Sequence, residues 1–288
     1  MLQLLFNGIA IGCIYALIAL GFVLIYNAVG AVNFAQGDLM VVGSYLGVLG
    51  VVGLGWPLWS TAALVLVGSA LIGFAFQAFA YFPLRDKPTI NVVISCLGAG
   101  IFLRNGVQLL AGPEPYMMAP FLNVRSITVY GVHIASQSLA VILITVLILG
   151  FQSWFFAFTS YGRMLRATAN DKYAARLCGV PVRQMIALTF VVSTLLAGLA
   201  GFMLVPIFLA SPNMGSGLIV KAWIGVIIGG FGSLPGAVIG GIIVGVLETF
   251  AAKLISSAYK DVITMGLLML ALFLRPQGLF RSPVSEKV

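Results

Sequence analysis

LQLLFNGIAIGCIYALIALGFVLIY, residues 2–26, runs for 25 amino acids without one charged side chain. A helix rises 1.5 Å per residue, so about 20 apolar residues cross a hydrocarbon layer of roughly 30 Å. The stretch is long enough to span a membrane. No basic residue precedes it and it is too long for the h-region of a secretory signal, so it reads as a retained first span. The remaining chain continues in kind: 61% of the 288 residues are hydrophobic and 8% are charged, with a mean hydropathy of +1.13. A soluble domain carries about 25% charged residues. The solvent for most of this chain is therefore lipid.

Further apolar runs follow at 39–55, 58–81, 90–111, 137–158, 184–210, 218–232, 236–255 and 259–274. The run 218–232 is short and broken by Gly229, Gly230 and Gly232, which predicts a half-helix or re-entrant piece. The expected fold is all-α: a polytopic transmembrane helix bundle of eight or nine spans, forming a single membrane domain over 1–288. Glycines stand four apart within the runs, at Gly8 and Gly12, Gly43 and Gly47, Gly225 and Gly229, Gly236 and Gly240, and Gly241 and Gly245. Small residues one turn apart let helix backbones approach closely where lipid removes any hydrophobic drive for association. They predict a tightly packed bundle.

The net charge is +8, yet no Lys or Arg precedes Arg85 and five of the fifteen fall between Arg163 and Arg183. Such clustering follows the positive-inside rule and argues against a nucleic-acid partner. Loops 82–89 (Arg85, Lys87) and 159–183 and the tail (Arg275, Arg281, Lys287) then share one side, the cytoplasm. That places the N-terminus outside, the C-terminus inside, residues 27–38 inside, and the loop 112–136 with Glu114, Arg125 and His133 outside. The expected location is the bacterial inner membrane.

Common enzymatic signatures are absent. With one histidine there is no HExxH zinc site. No GxSxG elbow occurs, and without a Gly-Lys dipeptide there is no phosphate loop for ATP. Cys13, Cys96 and Cys178 form no CxxC pair. The seven carboxylates are scattered, with none paired for acid–base work. Neither catalytic residues, nor a metal site, nor a cofactor is expected in this chain.

The loop SYGRMLRATANDKYAARLCGVPVR, residues 160–183, is the most informative. It predicts a helix from about Arg163 to Leu177, stopped at Cys178 and Gly179 with Pro181 beyond. Arg163, Arg166, Lys172 and Arg176 would hold it at the membrane–water boundary, and Ala167, Ala169, Ala174 and Ala175 leave room for another surface. From composition alone, a plain basic interfacial loop fits equally well.

The pattern GRxxRAxAxDxxAAxxxGV, Gly162 to Val180, resembles the coupling loop of permease subunits of ABC importers, in particular the branched-chain amino-acid type (the LivH type). GIAIGCIYALIALGFVLIYNAVGAVNFAQGD (8–38), GGFGSLPGAVIGG (229–241) and RPQGLF (275–280) are similar to other segments of that family, in the same order. At Gln36 many relatives carry His. The resemblance implies that Gly162, Arg163, Arg166, Ala167, Asp171, Ala174, Ala175 and Gly179 dock on an ATPase. It also implies a second, homologous permease subunit in a heterodimer and two cytoplasmic ATPase subunits that hold ATP and Mg. A periplasmic or extracellular substrate-binding protein completes the set, and the mechanism is alternating access. Leucine, isoleucine and valine are the implied substrates, with urea, short amides and other amino acids handled by similar permeases.

Four polar residues are candidates for the pathway or its gate: Asn33, Gln36 and Asp38 in NFAQGD, and Glu248 within an apolar run. Asp38 also suits a plain helix N-terminus, and Glu248 suits interhelical hydrogen bonding, since Lys253 is poorly spaced to reach it. Lys221 and Arg104 read as snorkelling side chains, and His133 as an ordinary surface histidine. No charge cluster able to clamp an amino acid's ammonium and carboxylate is visible. The rival readings are an ATP-independent secondary transporter or channel, with Asp38 and Glu248 as its ion site, and a non-transporting scaffold.

Overall fold

The opening apolar run folds as one 28-residue helix, α1 (Leu2–Val29), and stops at Gly30. Gly30 sits in the left-handed region (φ 78°), where its N–H donates to the Tyr26 carbonyl at 2.8 Å. Only glycine enters that region freely, so the helix ends there. The computed structural model describes residues 1–121, 126–129, 132–256, 259–275 and 278–280. Arg125, Arg281 and Lys287 lie outside the described residues.

Helix α2 (Gln36–Val48) continues through a wider turn at Leu49–Gly53. Then come α3 (Leu58–Phe76), extended by Gln77–Tyr81 and Phe82–Leu84, and α4 (Thr89–Ala111). A hairpin, β1 (Ser126–Val129) and β2 (Val132–Ala135), pairs antiparallel with Thr128 opposite His133. It leads into α5 (Ser136–Phe158). Two short helices, α6 (Ser160–Asn170) and α7 (Lys172–Leu177), precede α8 (Val182–Leu204). The chain continues with α9 (Met214–Gly229), α10 (Leu234–Leu254) and α11 (Lys260–Leu274). Seven of these helices are long and apolar enough to cross a membrane, while α9 is shorter. Each expected apolar run contains a helix, and among the described residues the bundle is all-α apart from the hairpin.

Glycine sets the packing. Helix α10 runs antiparallel to α1, with Gly8 against Val246, Gly12 against Ile242, and Gly241 against Ala16. A Cβ on Gly12 would lie 2.6 Å from the Ile242 Cα, so the helices approach to a distance only hydrogen permits. Helix α8 wedges against α1, α2 and α3, and Gly43 of α2 meets Gly198 of α8 backbone to backbone. Large apolar side chains on α4 and α5, among them Phe102, Leu109, Leu143 and Phe151, point outward as a lipid-facing surface must.

Four expectations need correction. The run 184–210 stops as a helix at Leu204, because Pro206 has no N–H and its ring collides with the preceding turn. The short run 218–232 begins earlier, at Met214, and reaches only about 24 Å at 1.5 Å per residue. The polar stretch 27–38 does not stay at one surface: Gln36, which opens α2, lies beside Gly21, eight residues or about 12 Å back from the end of α1. Finally, the helix expected over 163–177 is two helices. They break at Asp171, whose carboxylate caps the second.

Candidate functional site

Charge gathers at one end of the bundle. Arg85 from the loop after α3, and Arg176 and Arg183 on either side of the α7–α8 turn, line one cavity of about 240 Å³. The guanidinium groups of Arg85 and Arg183 stack on the Phe82 ring at 4.2 and 4.0 Å. The closing segment reaches the same end: the N–H groups of Leu279 and Phe280 donate to the Ile228 and Gly229 carbonyls at 2.9 Å each. Two stretches singled out in the sequence, GGFGSLPGAVIGG and RPQGLF, are thus in direct contact. Asn27 joins them through its side-chain amide, which donates to the Gly232 carbonyl at 2.9 Å.

At that end α6 and α7 fold across the bundle. Thr159 caps α6, accepting from the Gly162 N–H at 3.0 Å. Gly162 lies so tight on the end of α5 that a Cβ would come 2.7 Å from the Phe156 Cα. Asp171 Oδ1 accepts from the N–H groups of Tyr173 and Ala174 at 2.7 and 3.1 Å, satisfying two donors of the α7 start. Gly179 closes the unit with φ 79°. Ala175 is buried in the chain's own core and Ala167 packs against it, so these two alanines face inward. Arg163, Arg166 and Ala174 face outward, joined by Tyr173 and Leu177, 72% and 74% exposed. These last two were missed in the sequence. Lys172 Nζ reaches across to donate to the Val29 carbonyl at 3.0 Å.

NFAQGD turns back into the bundle. Gln36 is 0% exposed. Its amide donates to the Ser193 carbonyl at 3.2 Å, and the Ser193 hydroxyl donates back to Gln36 Oε1 at 3.0 Å. Asn33 is equally buried and accepts from the Ala35 N–H at 3.1 Å. Asp38 stands in the first turn of α2 and faces Arg104 of α4, with Nε and Oδ1 3.6 Å apart. Arg104 is therefore a partner of Asp38 and not a snorkelling residue.

Glu248 is 7% exposed, two-thirds of the way along α10. Tyr15 of α1 donates its hydroxyl to Oε2 at 2.7 Å. Lys221 of α9 pairs with Oε1 and also with Asp261 of α11 at 3.0 Å, and Lys260 approaches Oε1 at 3.9 Å. Lys221 does not snorkel. Four helices meet at one carboxylate, beside a cavity of about 530 Å³ between α1, α9, α10 and the segment after α8. The expectation that no charge cluster exists is overturned, since two carboxylates and two ammonium groups stand together here.

Residues 4–272 match the family model described as "Branched-chain amino acid transport system / permease component". The chain belongs to this permease family. It is 33% identical, over the whole of its length and 97% of the relative's, to the high-affinity branched-chain amino acid transport system permease protein LivH of Salmonella typhimurium. The identity is again 33%, over all of this chain and 98% of the relative, to BraD of Pseudomonas aeruginosa, which bears the same description. Among solved structures, PsaBC from Streptococcus pneumoniae in complex with Fab superposes with a TM-score of 0.52, covering 96% of this chain and 92% of that one at 17% identity. That likeness concerns the fold alone.

As a member of this permease family the chain is a multi-pass inner-membrane transport subunit and not an enzyme. Partners for its intramembrane charges were the main feature the sequence concealed. An unpaired charge deep in a bilayer is costly enough that a single acidic residue in one apolar run and a single basic one in another point to each other. Glu248 and Lys221 carried that signal, but Arg104 in the run 90–111 carried it equally, so the pairing itself stayed hidden.

Proposed function

We propose that this chain is a permease subunit of an ATP-driven importer of branched-chain amino acids, working by alternating access. Its partners are a second, homologous permease subunit, two cytoplasmic ATPase subunits carrying ATP and Mg, and an external substrate-binding protein. The observation that carries the reading is the α6–α7 unit. It presents Arg163, Arg166, Tyr173 and Leu177 outward while Ala175 and Lys172 root it in the bundle. An exposed basic and aromatic face on a rigidly capped element suits docking to another protein. The bundle end bearing α6 and α7 faces the cytoplasm in this reading, and the β1–β2 hairpin faces outside.

The mechanical logic is short. Nucleotide binding draws the ATPases together, α6 and α7 move with them, and Lys172 passes the displacement to the last residue of α1. The six residues Gly30–Ala35 then connect α1 to Gln36, which opens α2 inside the bundle.

Reconstitution in proteoliposomes tests the proposal. Uptake of labelled leucine is expected only when the second permease, the ATPases, the binding protein and ATP are all present. Uptake driven by an ion gradient without any ATPase would instead establish a secondary transporter.

A further inference from the structure

Holding charge away from water in a lipid-solvated bundle is expensive, and a buried ion pair is often no more stabilising than apolar side chains of the same volume. The buried Lys221–Glu248 pair at the heart of the cluster is therefore poorly explained as glue. Its composition is specific: Glu248 and Asp261 against Lys221 and Lys260, two negative and two positive charges, with the Tyr15 hydroxyl completing the Glu248 carboxylate. It borders a cavity whose other walls include Leu204, Ile207, Phe208 and Leu218. At about 530 Å³ the space lies within the range of small-molecule sites, roughly 300–1,000 Å³.

We infer that this cavity is a transit site for a zwitterionic, aliphatic α-amino acid, with Glu248 receiving its ammonium and Lys221 its carboxylate. This inference rests on the amino-acid importer reading above. A zwitterion is the one common charge type that enters such a cluster without leaving an uncompensated charge. Its carboxylate replaces Glu248 on Lys221, and its ammonium replaces Lys221 on Glu248. An ammonium offers three donors, so Lys221 keeps Asp261 while it accepts the newcomer. A simple amine or a simple carboxylate would compensate only one half of the opened pair. The aliphatic side chain lies on the Ile207, Phe208 and Leu218 wall. Because the substrate must break the Lys221–Glu248 pair in order to bind, the site holds it weakly, as a passage requires. The cavity between α3 and α4, about 600 Å³, is walled by residues such as Phe76, Phe79, Phe102 and Leu103 and has only Ser95 as a polar side chain, so it offers nothing to receive either charge.

Photo-crosslinking in the complete importer tests the assignment. Photo-leucine, a leucine bearing a diazirine in its side chain, is supplied with the binding protein and ATP, irradiated, and its adducts are mapped by mass spectrometry. Adducts are expected on Ile207, Phe208 or Leu218. They should fall about tenfold or more in Lys221→Met and Glu248→Gln, in keeping with the loss of one charge-assisted contact, and recover in Lys221→Arg. Co-purification with the ATPases verifies that each variant assembles. Adducts confined to the α3–α4 cavity, or unchanged labelling of residues 207–218 in assembled Lys221→Met, would overturn the site while leaving the importer reading intact. Absence of labelled-leucine uptake by the wild-type complex overturns the importer reading itself.

Discussion

Lys172 holds Val29. The ammonium of the first residue of α7 donates to the carbonyl of the last residue of α1, 143 positions earlier, at 3.0 Å. This is a direct polar link between the outward-facing loop and the helix at the centre of the bundle, beside the packing of α6 on α1. Lys172→Met keeps the aliphatic stem and deletes the donor, so it is expected to lower leucine uptake per ATP hydrolysed while the complex still assembles. The ratio of uptake to hydrolysis in proteoliposomes measures this, and an unchanged ratio would remove Lys172 from the coupling route.

Tyr173 and Leu177 are exposed on α7 and contribute little to the bundle itself. Leu177→Asp places a charge on the proposed docking face, where central apolar anchors carry most of the binding energy. The expected result is a permease of wild-type thermal stability that no longer co-purifies with its ATPases. Normal co-purification would move the docking surface elsewhere.

Asp171 caps α7 with two backbone hydrogen bonds. Asp171→Ala should destabilise that helix by about 0.5–2 kcal/mol, while Asp171→Asn or Asp171→Ser retains most of the cap. Hydrogen exchange over residues 172–177 reads the effect directly. Equal protection in the Ala and Asn variants would show that the cap does not govern the helix.

Glu248 and Lys221 separate structure from transport. Glu248→Met alone leaves Lys221 without its nearest buried partner, and losing one member of a buried pair costs about 3–5 kcal/mol. The double variant Glu248→Met with Lys221→Met removes both charges and should recover most of that thermal stability, yet remain deficient in leucine uptake. A double variant that both folds and transports normally would reduce the pair to packing.

Gly12 sits on Ile242 with no space for a side chain. Gly12→Val should lower the melting temperature of the detergent-solubilised permease, with overpacking of about 1–3 kcal/mol. The same substitution at Gly98, around which a Cβ would meet nothing within 4 Å, is the control and should change little. Equal sensitivity at both positions would contradict the packing described.

Much of the architecture was legible because lipid imposes simple rules. Every apolar run of sufficient length became a helix, and glycines at four-residue spacing, such as Gly8 and Gly12, marked a helix–helix seam. The break at Asp171 was missed, although Asp favours helix starts over helix interiors. The hairpin was missed as well: Ser-Ile-Thr-Val and Val-His-Ile-Ala alternate and lie two residues apart, a strand–turn–strand pattern within what read as a plain outer loop. Two relationships were hidden for a physical reason. Lys221 meets Glu248, and Arg104 meets Asp38, across separations of 27 and 66 residues. Such meetings depend on which faces of which helices oppose each other, and local periodicity does not specify that. Gln36 was misplaced for the same cause, since nothing in NFAQGD alone reveals that α2 starts deep within its neighbours.

Gly37 and Gly215 illustrate what close backbones ask of the genetic record. A methyl group on Gly215 would lie 2.5 Å from the Gly37 carbonyl oxygen, and one on Gly37 would strike Gly215 in turn. Neither position can drift alone, and a change at one is not rescued by enlarging or shrinking the other. Across a saturation library scored by growth on imported nutrient, the intolerant glycines would therefore draw the crossings of the helices as a dotted line, surrounded by aliphatic sites that exchange freely.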